Sequence, residues 1–267
     1  MSEDDRLLAV ANASGFPLQI AIEQAVRASY AEHHWKVQYV EHSWNNRLDD
    51  QRGFIDLVLR DQNGTFTLVV ECKRVRDAAW LFLRPDGTDN KRRHCKTWVT
   101  SYANGVMKYF GWHDLIVDPP GIEAPYCTVR GQSNAMPMLE RIAADVVSST
   151  EALAWEEKDY RPERGASVQF YISVIVTTAE LKIATFAPGD ISLKDGVIKS
   201  ANFETVPVVR FRKQLSPRSD AFSSADCESG VDTSSRKEHT VFVVNAEAIV
   251  DFLAVLELEI KSANAFA

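Results

Sequence analysis

The sequence predicts an α/β protein with a mixed central sheet, flanking helices and a β-rich second half. Three observations carry that expectation. An amphipathic helical stretch near the start is followed at once by three short apolar strands, with a hairpin signal between the last two. A second helical pattern occupies residues 136–154. Beyond residue 167 β-branched runs dominate, and one of them, QFYISVIVTT, is apolar enough to be buried on both faces.

The first helix is expected over Pro17–His34. Pro17 suits a first helical turn, where its missing N–H costs nothing. Leu18, Ile22, Val26, Ser29 and Tyr30 recur at helical spacing, with Glu23 at the edge of the stripe. The three strands follow at Lys36–Glu41, Phe54–Leu59 and Thr65–Lys73. Asn63-Gly64, just before the third, favours a tight turn and predicts that the second and third strands pair antiparallel. Residues 77–95 read as mixed and turn-rich, Lys96–Phe110 as a helix, Asp118-Pro119-Pro120-Gly121 as a break. The helix over Met136–Ala154 turns Leu139, Ile142, Ala143, Val146 and Val147 to one face.

In the second half, LKIATFA, Val206–Phe211 and HTVFVVN follow as further strands, and Ala246–Ile260 as a closing helix capped by Asn245. Gln214–Ser235 holds seven serines and few apolar residues, which predicts a mobile loop. The organisation expected is a core over residues 1–160 and a β-rich part over 161–267, packed with the core as one unit.

Composition narrows the function classes. The chain has 267 residues, 45% of them hydrophobic, enough for a full core. A formal net charge of -7 argues against a protein that coats nucleic acid through bulk charge, while leaving room for a local basic cleft. Cys72, Cys95, Cys127 and Cys227 form no C-x-x-C pair, which argues against structural zinc or a disulfide framework and for reduced thiols. The acidic start, MSEDDRLLAV, does not read as a signal peptide, and no apolar run reaches the length of about 18 residues that a membrane span needs. The expectation is a soluble, cytoplasmic protein without a membrane partner. The six histidines make no metal-binding spacing, and G-x-S-x-G, Walker A and G-x-G-x-x-G sequences are missing.

The chemistry concentrates on Asp56, Glu71 and Lys73. Glu71 and Lys73 are two apart on one strand and share a face. The hairpin brings Asp56 beside them. Asp56 is flanked by Phe54, Ile55, Leu57 and Val58, and Glu71 follows Leu68-Val69-Val70. Carboxylates among such residues are costly unless paired or bound to a cation, and two together resist joint ionisation. Hard oxygen donors favour Mg²⁺ or Mn²⁺. The other reading of the same residues is a salt bridge between Glu71 and Lys73 or Arg74 on a half-exposed strand.

A helix, then three strands, with Asp on the second and E-x-K on the third, resembles the PD-(D/E)XK superfamily of restriction-endonuclease-like nucleases. The matching residues are Glu23 on the leading helix, Asp56 in FIDLVL, and Glu71 and Lys73 in VVECKR; Ile55 stands where the motif's proline would be. The resemblance implies a restriction-endonuclease-like core and a metal-dependent nuclease, with DNA the favoured substrate and a defence or restriction role. It implies that Asp56 and Glu71 hold Mg²⁺ or Mn²⁺, that Glu23 assists the metal, and that Lys73 positions or deprotonates the attacking water. The alternatives are an inactive nucleic-acid-binding module on the same fold and a subunit that works with a homodimer mate or partner protein.

Residues 72–96 hold eight Lys or Arg against three Asp. The run Lys91, Arg92, Arg93 and Lys96 is a candidate phosphate-contacting patch, or a solvated charge run. Trp80, Trp98 and Tyr102 are interleaved with it; base stacking is one use for them, and core packing is favoured for at least two.

Overall fold

β-strand β8 (Val168–Thr177) is buried at every one of its ten positions, as its unbroken apolar sequence requires, and the rest of the molecule is arranged around it. The structure is a computed structural model, and it describes residues 2–46, 51–75, 79–87, 92–103, 105–129, 138–159, 168–215, 237–259 and 261. The fold is mixed α/β. Before β8 come α1 (Glu3–Ala13), α2 (Phe16–Ala28), α3 (Tyr30–His33), β1 (Lys36–Asn45), β2 (Arg52–Arg60), β3 (Phe66–Lys73), β4 (Ala79–Pro85), β5 (Arg92–Ala103), β6 (Val106–Ala124), β7 (Tyr126–Val129) and α4 (Met138–Glu156). After it come β9 (Glu180–Phe186), β10 (Asn202–Thr205), β11 (Val208–Gln214), β12 (Glu238–Asn245), α5 (Ile249–Val255) and β13 (Glu257–Leu258).

The large sheet has the order β1-β2-β3-β8-β12-β11-β6-β13, with β5 paired to both β6 and β8. The β-rich second half therefore supplies the middle of this sheet: β8 pairs parallel with β3 on one side and with β12 on the other. A smaller sheet runs β10-β9-β4-β7. One face of the large sheet is covered by α4 and the small sheet, in a core that includes Val58, Val69, Ile142, Val146, Trp80 and Phe82. The opposite face is covered by α2 and α5, through Leu18, Ile22, Val26, Phe252 and Leu253. No helix among the described residues is long and apolar enough to cross a membrane.

The turn between β2 and β3 follows its sequence. Gly64 has φ 69°, a left-handed conformation that favours glycine. The Asp61 carboxylate accepts from the N–H groups of Thr65 and Phe66 at 2.7 and 2.8 Å, closing the loop. The leading helix is divided at Ser29 into α2 and α3, which ends at His34 with φ 62°. Asn245 caps the turn before α5 by accepting from Glu247 N–H at 3.0 Å.

Four expectations need correction. Lys96–Phe110 is not a helix: it forms the end of β5, a turn and the start of β6. Thr97, Val99 and Thr100 are β-branched and Trp98 and Tyr102 aromatic, and Asn104-Gly105 is the same kind of turn signal as Asn63-Gly64. The Asp118–Gly121 stretch does not end its strand. β6 runs through it, changing partners from β5 to β11, and the fully buried Arg210 donates to the Val117 and Pro119 carbonyls at 2.5 Å each. Residues 79–85, inside the stretch read as mixed and turn-rich, are β4. The closing helix stops at Val255, and Glu257–Leu258 pairs with β6 instead. Of the loop expected over Gln214–Ser235, Gln214 ends β11 and Leu215 is buried; residues 216–235 lie outside the described residues. Cys72, Cys95 and Cys127 are free and buried.

Candidate functional site

The ladder between β2 and β3 runs from Arg60–Thr67 to Leu57–Val70 and stops there. Asp56 is the next residue of β2, and its side chain takes over from the backbone: Oδ2 accepts from Cys72 N–H at 2.6 Å. Its own carbonyl accepts from Gln19 Nε2, on α2, at 3.1 Å. β3 meanwhile continues alongside β8, pairing Glu71 with Ile175 and Lys73 with Thr177. The two strands separate at Asp56, and Glu71 and Lys73 are carried past the point of separation by β8.

On the other edge of β2, Val40 pairs with Leu57 and His42 with Ile55, so Glu41 lies across from Asp56. Glu41 has φ 51°. A left-handed residue inside a strand breaks the alternation of side chains, and the neighbours record the break. Tyr39 and His42, three positions apart, stack at 4.6 Å. Ile55 and Val58, also three apart, join the same core beneath α4. The row Glu41–Asp56 is a kink in both outer strands.

Burial pushes the Asp56 carboxyl above its ordinary range; Cys72 N–H and Lys73 oppose this and the Glu41 charge adds to it. Glu71 is pushed up to about 7, by burial first and then by the Asp56 charge, with smaller contributions from Asp145 and Glu41 and with Lys73 opposing. The Cys72 thiol is also raised, by burial and the same carboxylates, so it is no nucleophile.

The three residues on which the sequence reading turned, Asp56, Glu71 and Lys73, are brought together. Glu23 is on α2, one turn beyond Gln19, and its carboxylate is held by Arg27 at 2.9 Å. Arg93 forms two hydrogen bonds to Asp118, at 2.7 and 2.5 Å, and a longer contact of 3.6 Å to Glu259. Lys96 is buried and paired with Asp114 at 3.3 Å. Arg93, whose side chain is 37% exposed, and the buried Lys96 are thus each paired with an aspartate of β6. Arg92 contributes backbone to β5; its side chain, and Lys91, lie outside the described residues. Trp80 and Trp98 are fully buried, in the core role favoured from sequence.

Models of known families, curated proteins and solved structures yield no match to this chain.

The donor set suits a hard cation. Mg²⁺ is commonly held by one or two carboxylates, with water and substrate phosphate completing its shell. Asp56 and Glu71 offer that pair, and the elevation of Glu71 marks negative charge that the protein leaves without full compensation. Among the described residues no group of three or more His, Cys, Asp or Glu side chains is placed to hold a metal ion, so a cation here would rest on the Asp56–Glu71 pair, with water and substrate for the rest of its shell.

Three participants escaped the sequence reading. Gln19 had a signal: it is a polar residue beside an otherwise aliphatic stripe. Asp145, on α4, lies between the stripe residues Ile142 and Val146 and acts on Glu71 from above the sheet. Glu41 had none, because nothing in its neighbours marks a left-handed conformation.

Proposed function

We propose that the protein is a metal-dependent nuclease with a restriction-endonuclease-like core, hydrolysing phosphodiester bonds of nucleic acid, with DNA the favoured substrate. The observation that carries this reading is the pair of desolvated carboxylates, Asp56 and Glu71, set beside Lys73 where β2 and β3 separate. Desolvated carboxyls that raise one another are concentrated at functional sites, and a bound cation would relieve the repulsion between Asp56 and Glu71.

Asp56 and Glu71 would hold Mg²⁺ or Mn²⁺, and the bound cation would supply Lewis acidity and a lowered pKa for water. Asp56 is oriented by the Cys72 N–H, which fixes its Oδ2. Lys73 projects from the same strand as Glu71, two residues on, where its ammonium can orient the attacking water and offset charge building on the phosphate. Burial of Glu71 keeps bulk water from screening these charges.

A groove of about 790 Å³ opens along the same β1–β2 ribbon, lined by Trp44, Arg52, Phe54 and Trp155 among others. It begins two residues from the Glu41–Asp56 row, roughly 7 Å along the strands. Aromatic faces and an exposed arginine are what a nucleic-acid strand uses without sequence preference. This groove supports the substrate class better than the Lys91–Lys96 run does. Gly53 is part of its construction: a Cβ there would come within 3.1 Å of the Trp44 indole nitrogen.

Supercoiled, linear and single-stranded DNA and a matched RNA, each incubated with Mg²⁺, Mn²⁺ or EDTA, test the reading. Cleavage that needs the cation and disappears in Asp56→Asn is the expected result. Intact substrates under every metal condition would refute it.

A further inference from the structure

Asp56 is contacted from outside the β2–β3 pair by groups whose placement the fold does not otherwise require. Gln19 is the one polar residue among the four buried in α2, only 5% exposed beside Leu18, Ile22 and Val26. A carboxamide in such surroundings is costly unless it is hydrogen-bonded. Its bond goes to the Asp56 carbonyl, the acceptor left over where the β2–β3 ladder stops. Across the other edge, Glu41 adopts a left-handed conformation that glycine would take without cost and glutamate does not. An observed backbone outlier beside a reactive group points to a role for the outlier. Glu41 lies across β2 from the point where the β2–β3 ladder ends, one residue before Leu57.

We infer that the Gln19 carboxamide and the left-handed backbone of Glu41 are positioning groups for Asp56, holding open the break in β1–β2–β3 that lets the Asp56 carboxylate engage Cys72 N–H and stand beside Glu71. Helix α2 then serves the site through Gln19 rather than Glu23, and Glu41 serves it through its backbone rather than its carboxylate. The inference rests on the reading of Asp56 and Glu71 as a cation site, but its first readout does not.

That readout is hydrogen exchange at the Cys72 amide, which is protected by the Asp56 carboxylate. Four variants of the full chain separate the possibilities. Gln19→Met keeps length and removes the donor. Glu41→Val places a β-branched residue where φ is positive, which it resists. Glu41→Gly keeps the left-handed backbone and deletes the carboxylate, and Glu41→Gln keeps everything but the charge. Well below every melting temperature, Gln19→Met and Glu41→Val are expected to speed Cys72 exchange and to weaken Mn²⁺ binding by about tenfold, the scale on which supporting residues act on a metal site. Glu41→Gly and Glu41→Gln are expected to keep wild-type exchange at Cys72 and to lose less Mn²⁺ affinity than Glu41→Val, with the Gly variant melting no lower. If Glu41→Val does not fold, Glu41→Ala takes its place with a smaller effect of the same sign. Equal losses in Glu41→Gly and Glu41→Val would overturn the backbone role. A lower melting temperature in Gln19→Met with unchanged exchange and Mn²⁺ affinity would reduce Gln19 to packing and overturn its part. Wild-type protein that binds no Mn²⁺, yet whose Cys72 amide responds as stated, would remove the cation reading and leave the positioning intact.

Discussion

Two clusters of charge are built into the same sheet, and they are balanced in opposite ways. Around Asp114 on β6, Arg212 contributes a bond of 2.8 Å and Lys96 one of 3.3 Å, while Arg212 also bonds Glu238 at 3.0 Å. Burial alone would raise Asp114, but Arg212 and Lys96 outweigh it and hold the carboxyl below its ordinary range. Around Glu71, burial is reinforced by Asp56, Asp145 and Glu41, with Lys73 in opposition among the described residues, and the carboxyl rises to about 7. Desolvation acts on both; the counter-charges decide the sign. A cluster that neutralises itself braces the strands it joins. One that leaves charge over is, under the proposed function, the place where a cation would bind.

The largest effect should separate the clusters by activity. Asp56→Asn keeps shape and removes a charge that would hold the cation, and cleavage should be lost. Lys73→Ala should leave cation binding intact or tighter, since a competing positive charge is gone, and still slow cleavage by about 10²-fold or more. Asp114→Asn should cleave as the wild type does. If Lys73→Ala cleaves as fast as the wild type, the uncompensated cluster is not the catalytic one.

Stability should then separate them in the reverse order. Removing one partner from a buried ion network costs about 3–5 kcal/mol, and with a third of the Asp114 side chain exposed about 1–3 kcal/mol is expected from Asp114→Asn. Glu71→Gln removes a carboxylate that the fold holds at a disadvantage, so the apo protein should melt no lower than wild type. A destabilised Glu71→Gln protein would mean that Glu71 is a brace after all.

Their pH dependences should also have opposite signs. Glu71 has a folded value of about 7 against an ordinary 4.5, so between these the folded state binds more protons than the unfolded one. Stability therefore falls as pH rises from about 4.5 to about 7, then levels off, by on the order of 2–3 kcal/mol from this group. Asp114 is depressed, so its contribution is present above the ordinary carboxylate range and is lost as pH falls through its folded value. Denaturant melts of Glu71→Gln should lack the decline between pH 5 and 7, and Mn²⁺ should oppose that decline in wild type. A wild-type curve flat over this window would show that Glu71 is not desolvated as described.

How much of this was legible follows from where each feature is decided. The β2–β3 hairpin was legible because its turn is local: Asp61, Asn63 and Gly64 close it within a few residues. Asp56, Glu71 and Lys73 were legible because charge inside apolar strands is conspicuous in any sequence. The β5–β6 hairpin differs from the helix expected over Lys96–Phe110, although the β-branched Thr97, Val99 and Thr100 and the Asn104-Gly105 turn signal are both in the sequence. The partners of Arg93 and Lys96 were not legible, since Asp118 and Asp114 arrive from β6, and sequence alone does not pair them. The kink at Glu41 was beyond reach altogether. Left-handed glutamate is a tertiary decision, made where β1 lies across from Asp56.

The smallest predicted effect concerns Glu23, and it sharpens the comparison by adding a third kind of charge. Glu23 is neither braced inside the sheet nor left over beside the site; it is a helix carboxylate in an i,i+4 pair with Arg27, whose side chain is half exposed. Such pairs contribute about 0.3–0.5 kcal/mol, because water and salt screen them and two long side chains must be held still. Glu23→Gln should therefore lower stability by about that amount, less at high salt, and should change Mn²⁺ affinity and cleavage little. The resemblance to PD-(D/E)XK nucleases gives this residue a larger part, in support of the metal. The two roles differ in what a titration would read. A surface pair leaves Mn²⁺ affinity where it was, whereas a metal-supporting carboxylate takes about tenfold with it. A tenfold loss in Glu23→Gln would mean that the Arg27 contact gives way when the cation arrives, and would restore α2's glutamate to the site in place of its glutamine.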